Sequence, residues 1–289
     1  MSWVLLALGA AVFYALQGAW TKHIGSRASG SAATWAIFAF AFPVLFIYLA
    51  LQGPPAAIGD RFWPAVVVNV VLSCFSFSLY VSALNRGDIG LTYPLLALTP
   101  IFLVPVEWLL LRDAPGAGGL AGVCLVVAGV YLLGYDPSRA DLFGPLRAVA
   151  RDPGARRMLG VALIWAVSGT VDRVAVLDSS PALYGTVLTG AIGVAFLPLV
   201  SRRGGGLRNA MRPEARWLLV VQGLLFAAMF MCQMEALGRS LAANVITIKR
   251  SGAMLTVLLG TFFFSERFAA SRLAGTLVIL AGVFLVARG

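Results

Sequence analysis

Apolar runs of about 20 residues recur along the whole chain, separated by short polar connections. A run of that length crosses the hydrocarbon core of a bilayer as a helix. The pattern predicts ten helices, at about 2–21, 31–51, 64–84, 89–111, 117–135, 158–177, 182–200, 216–237, 241–264 and 270–287. No stretch between them is long enough to fold as a domain. The first run starts at Trp3 with no basic leader and no small-residue cleavage site, so it is expected to remain as a helix. Composition points the same way. Of 289 residues, 60% are hydrophobic and 12% charged, against about 25% charged in soluble domains, and mean hydropathy is +0.89. The expected class is an all-α polytopic membrane protein.

The chain repeats internally. Ala83-Leu84-Asn85-Arg86 aligns with Ala236-Leu237-Gly238-Arg239 at a shift of 153. The same shift places Asp113 on Glu266, Leu120-Ala121-Gly122 on Leu273-Ala274-Gly275, and Ala128-Gly129-Val130 on Ala281-Gly282-Val283. A shift of 151 places Tyr14-Ala15 on Trp165-Ala166, Gly18 on Gly169, and Thr21-Lys22 on Asp172-Arg173. The division expected is a first repeat at 1–140, a basic linker at 141–157 and a second repeat at 158–289. Five helices per repeat is an odd number, so the second repeat enters the membrane inverted. Two inverted five-helix repeats place a central cavity between them, and rocking about their pseudo-twofold axis gives alternating access.

Net charge is +10, yet the arginines lie in short loops, where they set topology and meet lipid headgroups rather than nucleic acid. Fifteen cations, Lys22, Arg27, Arg86, the arginines of 139–157 and 202–216, Arg267 and Arg272, fall on one side. Five, Arg61, Arg112, Arg173, Arg239 and Arg288, fall on the other. The positive-inside rule then puts both termini outside the cytoplasm. Cys74, Cys124 and Cys232 lie in apolar segments and indicate no disulfide framework. With His23 the single histidine, no metal cluster or His-based triad can be assembled, and there is no P-loop. No cofactor is expected.

Chemistry concentrates in the ninth helix, where Lys249 and Arg250 are adjacent. Lys249 lies roughly 12 Å from the helix start. On the insertion scale two such cations oppose burial by about 5 to 7 kcal/mol. They require a partner acid, a wet cavity or an anionic substrate. Successive helical residues are about 100° apart, so the two are expected to point different ways. Asp172 and Glu235 are the candidate balancing or coupling acids. Glu235 and Arg239 also have i,i+4 spacing for a salt bridge, and Arg173 and Lys22 are expected to snorkel from helix ends. Tyr14 and Trp165 hold matching places and are candidate cavity walls. Gln17, Tyr93 and Asn244 are candidate substrate contacts, with Asn69, Gln222 and Gln233 as further polar residues serving either the cavity or interhelix hydrogen bonds. Glu107 is expected to bond at an interface. Pro94, Pro100 and Pro43 free backbone carbonyls for a hinge or a kink. Gly118 and Gly122 form GxxxG, and Gly122 and Gly129 map to Gly275 and Gly282, suited to close packing of helices 5 and 10 within the chain or across a homodimer.

The tandem five-helix repeat, and the closes of helices 4 (Val106-Glu107-Trp108-Leu109-Leu110-Leu111-Arg112-Asp113) and 9 (Leu259-Gly260-Thr261-Phe262-Phe263-Phe264-Ser265-Glu266-Arg267), carry a family resemblance. The chain resembles the drug/metabolite transporter superfamily in its ten-helix form with two EamA-type halves. That resemblance covers the whole chain and implies a transporter rather than an enzyme, placed in a bacterial cytoplasmic membrane. Val245-Ile246-Thr247-Ile248-Lys249-Arg250 is also similar to the helix 9 Lys-Arg pair of triose-phosphate translocators, which implies Lys249 and Arg250 as anion ligands. Helix 4 departs from that pattern, offering Tyr93 and no basic residue. The expected activity is secondary transport, by exchange or proton coupling, of a small polar or anionic metabolite. An exporter of amino acids, other zwitterions or drugs is the alternative. A membrane-embedded enzyme acting on lipid-linked substrates lacks an acid/base or metal cluster to support it.

Overall fold

The computed structural model describes residues 2–24, 30–86, 93–133, 151–202, 213–252, 254–255 and 270–288. These form ten α-helices in chain order: α1 Ser2–Ile24, α2 Gly30–Gln52, α3 Phe62–Arg86, α4 Thr99–Leu111, α5 Ala117–Leu133, α6 Pro153–Leu177, α7 Pro181–Arg202, α8 Pro213–Leu237, α9 Ala242–Arg250 and α10 Ala270–Arg288. A 3₁₀ segment, Tyr93–Leu98, runs directly into α4. Prolines open α6, α7 and α8, at a position where the missing amide would have no helical partner. Asp152 caps α6 by accepting the Gly154 amide at 2.8 Å, and Ser180 caps α7 by accepting the Leu183 amide at 3.1 Å.

Six helices among the described residues are long and apolar enough to cross a membrane, and three shorter apolar stretches accompany them. Large apolar side chains such as Leu5, Phe46, Val67, Leu163 and Leu277 face outward. Alanines such as Ala7, Ala10, Ala11, Ala162 and Ala166 fill the helix contacts. Large residues toward lipid and small ones between helices is the arrangement expected where close approach, rather than water exclusion, holds helices together.

The packing obeys an exchange rule. α3 packs on α6 as α1 packs on α8, α4 on α6 as α9 on α1, and α2 on α8 as α7 on α3. α2 pairs with its own counterpart α7, and α5 with α10. Interchanging each helix with the one five places away maps these contacts onto themselves, as two repeats about a pseudo-twofold axis require.

The α5–α10 pair is formed by glycine. A Cβ on Gly122 would lie 2.7 Å from the carbonyl oxygen of Gly282, and one on Gly282 would lie 2.7 Å from the backbone nitrogen of Val126. The face predicted from repeated glycines is therefore occupied within the chain. Gly118 is open, with nothing within 4 Å of an added Cβ, so only part of the predicted GxxxG is used.

Two expectations about helices 4 and 9 are corrected. Helix 4 is not one α-helix over 89–111. The 3₁₀ segment ends at Leu98, Pro100 lies in the first turn of α4, and the Thr99 hydroxyl donates to the Leu96 carbonyl at 2.7 Å. Pro94 and Pro100 favour such a break because neither donates an amide to a continuous ladder. α9 as a regular run ends at Arg250, and Ser251 forms a one-residue turn in right-handed helical conformation before helix resumes at Gly252. The Ser251 amide closes onto Thr247 and Ile248, and the Met254 amide bonds back to Ser251 at 2.9 Å. Residues 256–264 of the expected helix lie outside the described residues.

Candidate functional site

The two breaks are equivalent. Adding 153 to Leu98 and Thr99 gives Ser251 and Gly252, so helix 4 and helix 9 are interrupted at matching places. Discontinuous helices at the interface of inverted repeats are how carriers expose helix ends to a solute. Here the N-terminal end of α4 meets the C-terminal end of α9, and the Arg250 Nη2 donates to Thr99 Oγ1 at 3.3 Å. Being in the last turn of α9, Lys249 and Arg250 complement the negative end of its dipole. This partly offsets the cost that their sequence position implies.

The expectation that the cations point apart does not hold. Both lie 5.9 Å from the ring centroid of Tyr14 on α1. Starting about 100° apart around the helix, both side chains reach the same aromatic ring. Arg250 Nη1 donates to Tyr14 Oη at 3.2 Å, and its guanidinium carbon stands 5.4 Å from the Trp165 ring of α6. Tyr80 stacks on Trp165 at 5.8 Å between centroids. Lys249 Nζ donates to Gln233 Oε1 of α8 at 2.6 Å. Tyr14, Trp165, Lys249 and Arg250 are thus brought together, with Gln233, Thr99 and Tyr80 around them. Sequence reasoning missed Thr99 and Tyr80. The Thr-Pro step of helix 4 was the available signal for Thr99; Tyr80 carried none.

No carboxylate lies within 4.0 Å of Lys249 or Arg250 among the described residues. Arg250 is 8% exposed and its Nε is buried without a hydrogen-bond partner. Glu235, considered as a balancing acid, instead pairs with Arg239 at 2.9 Å and accepts the Tyr48 hydroxyl at 2.8 Å. Asp172 is buried at the junction of α3, α6 and α7. Its Oδ1 accepts Asn69 Nδ2 at 2.5 Å and Tyr184 Oη at 2.7 Å. Ser168 donates to Asn69 Oδ1 and completes this cluster. Asp172 forms no ion pair with Lys249 within 4.0 Å.

The other candidates disperse. Asn244 is buried with its Oδ1 unpartnered, facing α5 near Gly119 rather than the cations. Gln17, one turn beyond Tyr14, offers its backbone carbonyl to Thr21 at 2.8 Å. The side chains of Tyr93 and Lys22 lie outside the described residues. Arg173 does not snorkel to bulk water: it pairs with Glu107 at 2.7 Å and Asp113 at 3.0 Å, leaving its side chain 11% exposed. Two acids at the end of helix 4 hold it inside.

A solved crystal structure of another protein superposes on this chain with a TM-score of 0.79 at 15% identity, covering 99% of this chain and 97% of that one. At that identity the likeness establishes the fold alone. No curated protein sequence matches the chain. The model of the EamA-like transporter family matches twice, over residues 1–135 and 153–288. Matched across both repeats, and with an all-helical fold built of apolar spans, the chain belongs to the EamA-like transporter family, whose members are integral membrane transporters of small molecules.

Proposed function

We propose that the protein is a secondary transporter of a small polar or anionic organic metabolite, working by alternating access, with Lys249 and Arg250 receiving the anionic group. The observation that carries this reading is uncompensated charge. Two cations lie between the repeats with no carboxylate within 4.0 Å among the described residues, and Arg250 keeps a buried Nε without a partner. Buried charge of this kind is retained where a ligand completes it. Tyr14 and Trp165 wall the site, and Asp172 balances Lys249 at a distance.

Arg250 suits a planar carboxylate or phosphate through its fork of donors. A second reading, export of amino acids or other zwitterions, is favoured by the aromatic faces of Tyr14, Tyr80 and Trp165 beside the cations, which suit an ammonium group. Drive comes from exchange or from a proton gradient. The distribution of arginines supports an orientation in which the basic connections 136–157 and 201–215 face the cytoplasm and both termini lie outside.

Thermal stabilisation of the purified protein across phosphates, carboxylates and amino acids identifies the class, since bound ligand stabilises as RT ln(1 + [L]/Kd). Flux of the stabilising compounds into proteoliposomes follows. Lys249→Ala and Arg250→Ala are each expected to abolish stabilisation by anions, and full retention of transport in both variants overturns the anion role.

A further inference from the structure

The connections 53–61, 112–116, 178–180 and 238–241 alternate with the other connections and so share one face of the molecule. On this face the repeats are tied together. The Gly59 amide donates to the Asp178 carbonyl at 2.7 Å, the Arg61 amide to the Asp178 carboxylate at 2.9 Å, and Tyr48 to Glu235 at 2.8 Å.

Glu107 is the deepest of these ties, 0% exposed. α9 begins after Leu241, which has no side chain able to cap it. The first amides of a helix have no partners within it, and in a buried setting they need one from elsewhere. Glu107 of α4 provides it across the repeat boundary. Its Oε1 accepts the Ala242 amide at 2.7 Å, and its Oε2 accepts the Ala243 amide at 2.9 Å. Oε1 also accepts Arg173 Nη1 at 2.7 Å, while Arg173 Nη2 reaches Asp113 at 3.0 Å. A carboxylate here meets both a guanidinium and the positive end of the α9 dipole. One side chain of the first repeat therefore grips two helices of the second. One of them is α9, whose opposite end carries Lys249 and Arg250, so displacement of its first turn displaces the cations.

We infer that Glu107 is a positioning residue of the transport cycle: it fixes the cation-bearing helix α9 against α4 and α6 and, with Arg173 and Asp113, latches the 53–61 face closed. Opening the site toward that face releases Arg173 from both acids and frees the first turn of α9 as one event. The inference rests on the alternating-access reading above but not on the anion role of Lys249 and Arg250. It is tested without any solute, so its failure leaves the anion test standing.

The test is hydrogen–deuterium exchange of the full chain in lipid nanodiscs, read by mass spectrometry. Glu107→Gln keeps the size of the side chain and one acceptor, and removes the charge opposite Arg173. The expected result is exchange faster by about tenfold or more at Ala242, Ala243 and the 178–180 turn. It is accompanied by slower exchange on the opposite face, over 20–24 and 218–222, where Trp20 donates to the Leu218 carbonyl at 2.9 Å. Changes of opposite sign on the two faces mark a shifted equilibrium, which a merely loosened structure does not produce. Arg173→Lys, which keeps a cation beside both acids, is expected to retain the wild-type pattern. Asp113 is half exposed, so Asp113→Asn is expected to fold even where Glu107→Gln does not, and to give the same reciprocal pattern at smaller amplitude. Faster exchange on both faces, acceleration confined to Ala242 and Ala243, or no change in the Asp113 variant each overturns the inference.

Discussion

The guanidinium of Arg250 lies 5.4 Å from the centroid of the Trp165 ring. Tyr14, which occupies the equivalent place in the first repeat, takes a hydrogen bond from the same guanidinium at 3.2 Å. A single cation is thus held by matching positions of both repeats, close to their axis of exchange. Under the proposed alternating-access cycle, rocking of the repeats would change the surroundings of Arg250 directly, and an anion received there would contact both halves at once.

The fork of Arg250 divides its donors between Tyr14 and Thr99 and leaves Nε free. A lysine at that position offers a point charge that cannot hold both hydroxyls and still present a planar edge. Arg250→Lys is therefore expected to lower transport by at least about tenfold, a loss of roughly 1.4 kcal/mol in transition-state or binding free energy. Initial rates of flux in proteoliposomes check this, and a rate equal to wild type contradicts it.

Trp165→Leu keeps an apolar wall but removes the ring facing the guanidinium. A cation–π contact is worth about 0.5 to 2 kcal/mol, so the concentration of solute giving half-maximal thermal stabilisation is expected to rise about 2- to 30-fold. The measurement is a ligand titration of the unfolding midpoint in both proteins.

Asp172, Asn69 and Tyr184 form a buried cluster in which each residue is hydrogen-bonded to the other two. Asn69→Ala leaves the carboxylate short of a donor and Ser168 without its acceptor. Orphaning buried polar groups costs about 1 to 3 kcal/mol, and a lowered unfolding midpoint in detergent is the expected outcome. Tyr184→Phe removes two bonds, the one donated to Asp172 and the one accepted from Asn69, against four lost in Asn69→Ala, and is expected to cost less.

The glycine pairing of α5 and α10 predicts a sharp contrast between two neighbouring positions. A methyl on Gly122 meets backbone atoms at 2.7 Å, which cannot rotate away, whereas Gly118 has open space. Gly122→Ala is expected to destabilise by about 1 to 3 kcal/mol through overpacking, and Gly118→Ala to be neutral or slightly stabilising. Thermal unfolding of the two variants side by side separates them.

Arg239 and Glu235 form an i,i+4 pair at the end of α8 with the arginine side chain 49% exposed. Exposed pairs of this kind contribute about 0.3 to 0.5 kcal/mol. Arg239→Ala is expected to leave both stability and transport within experimental error of wild type. A large transport defect there would assign Glu235 a role beyond its contact with Tyr48.

Ten apolar runs, their order and the repeat between them were legible in the amino-acid sequence, because membrane insertion imposes length and hydropathy locally and repeats survive as matched glycines and charges. Lys249 and Arg250 stood out for the same reason: cations are conspicuous in an apolar run. The partners of those cations were not legible. Which acid meets which base depends on helix rotation and on how the repeats dock, and neither is written in the spacing along one helix. Tertiary packing alone sent Glu235 to Arg239, placed Asp172 among Asn69 and Tyr184, drew Arg173 inward to Glu107, and turned two diverging side chains toward one tyrosine. It also decided where helices 4 and 9 are interrupted: Pro94 and Pro100 permit the change of helix type in helix 4, whereas helix 9 carries no proline and its turn at Ser251 was not legible in the sequence.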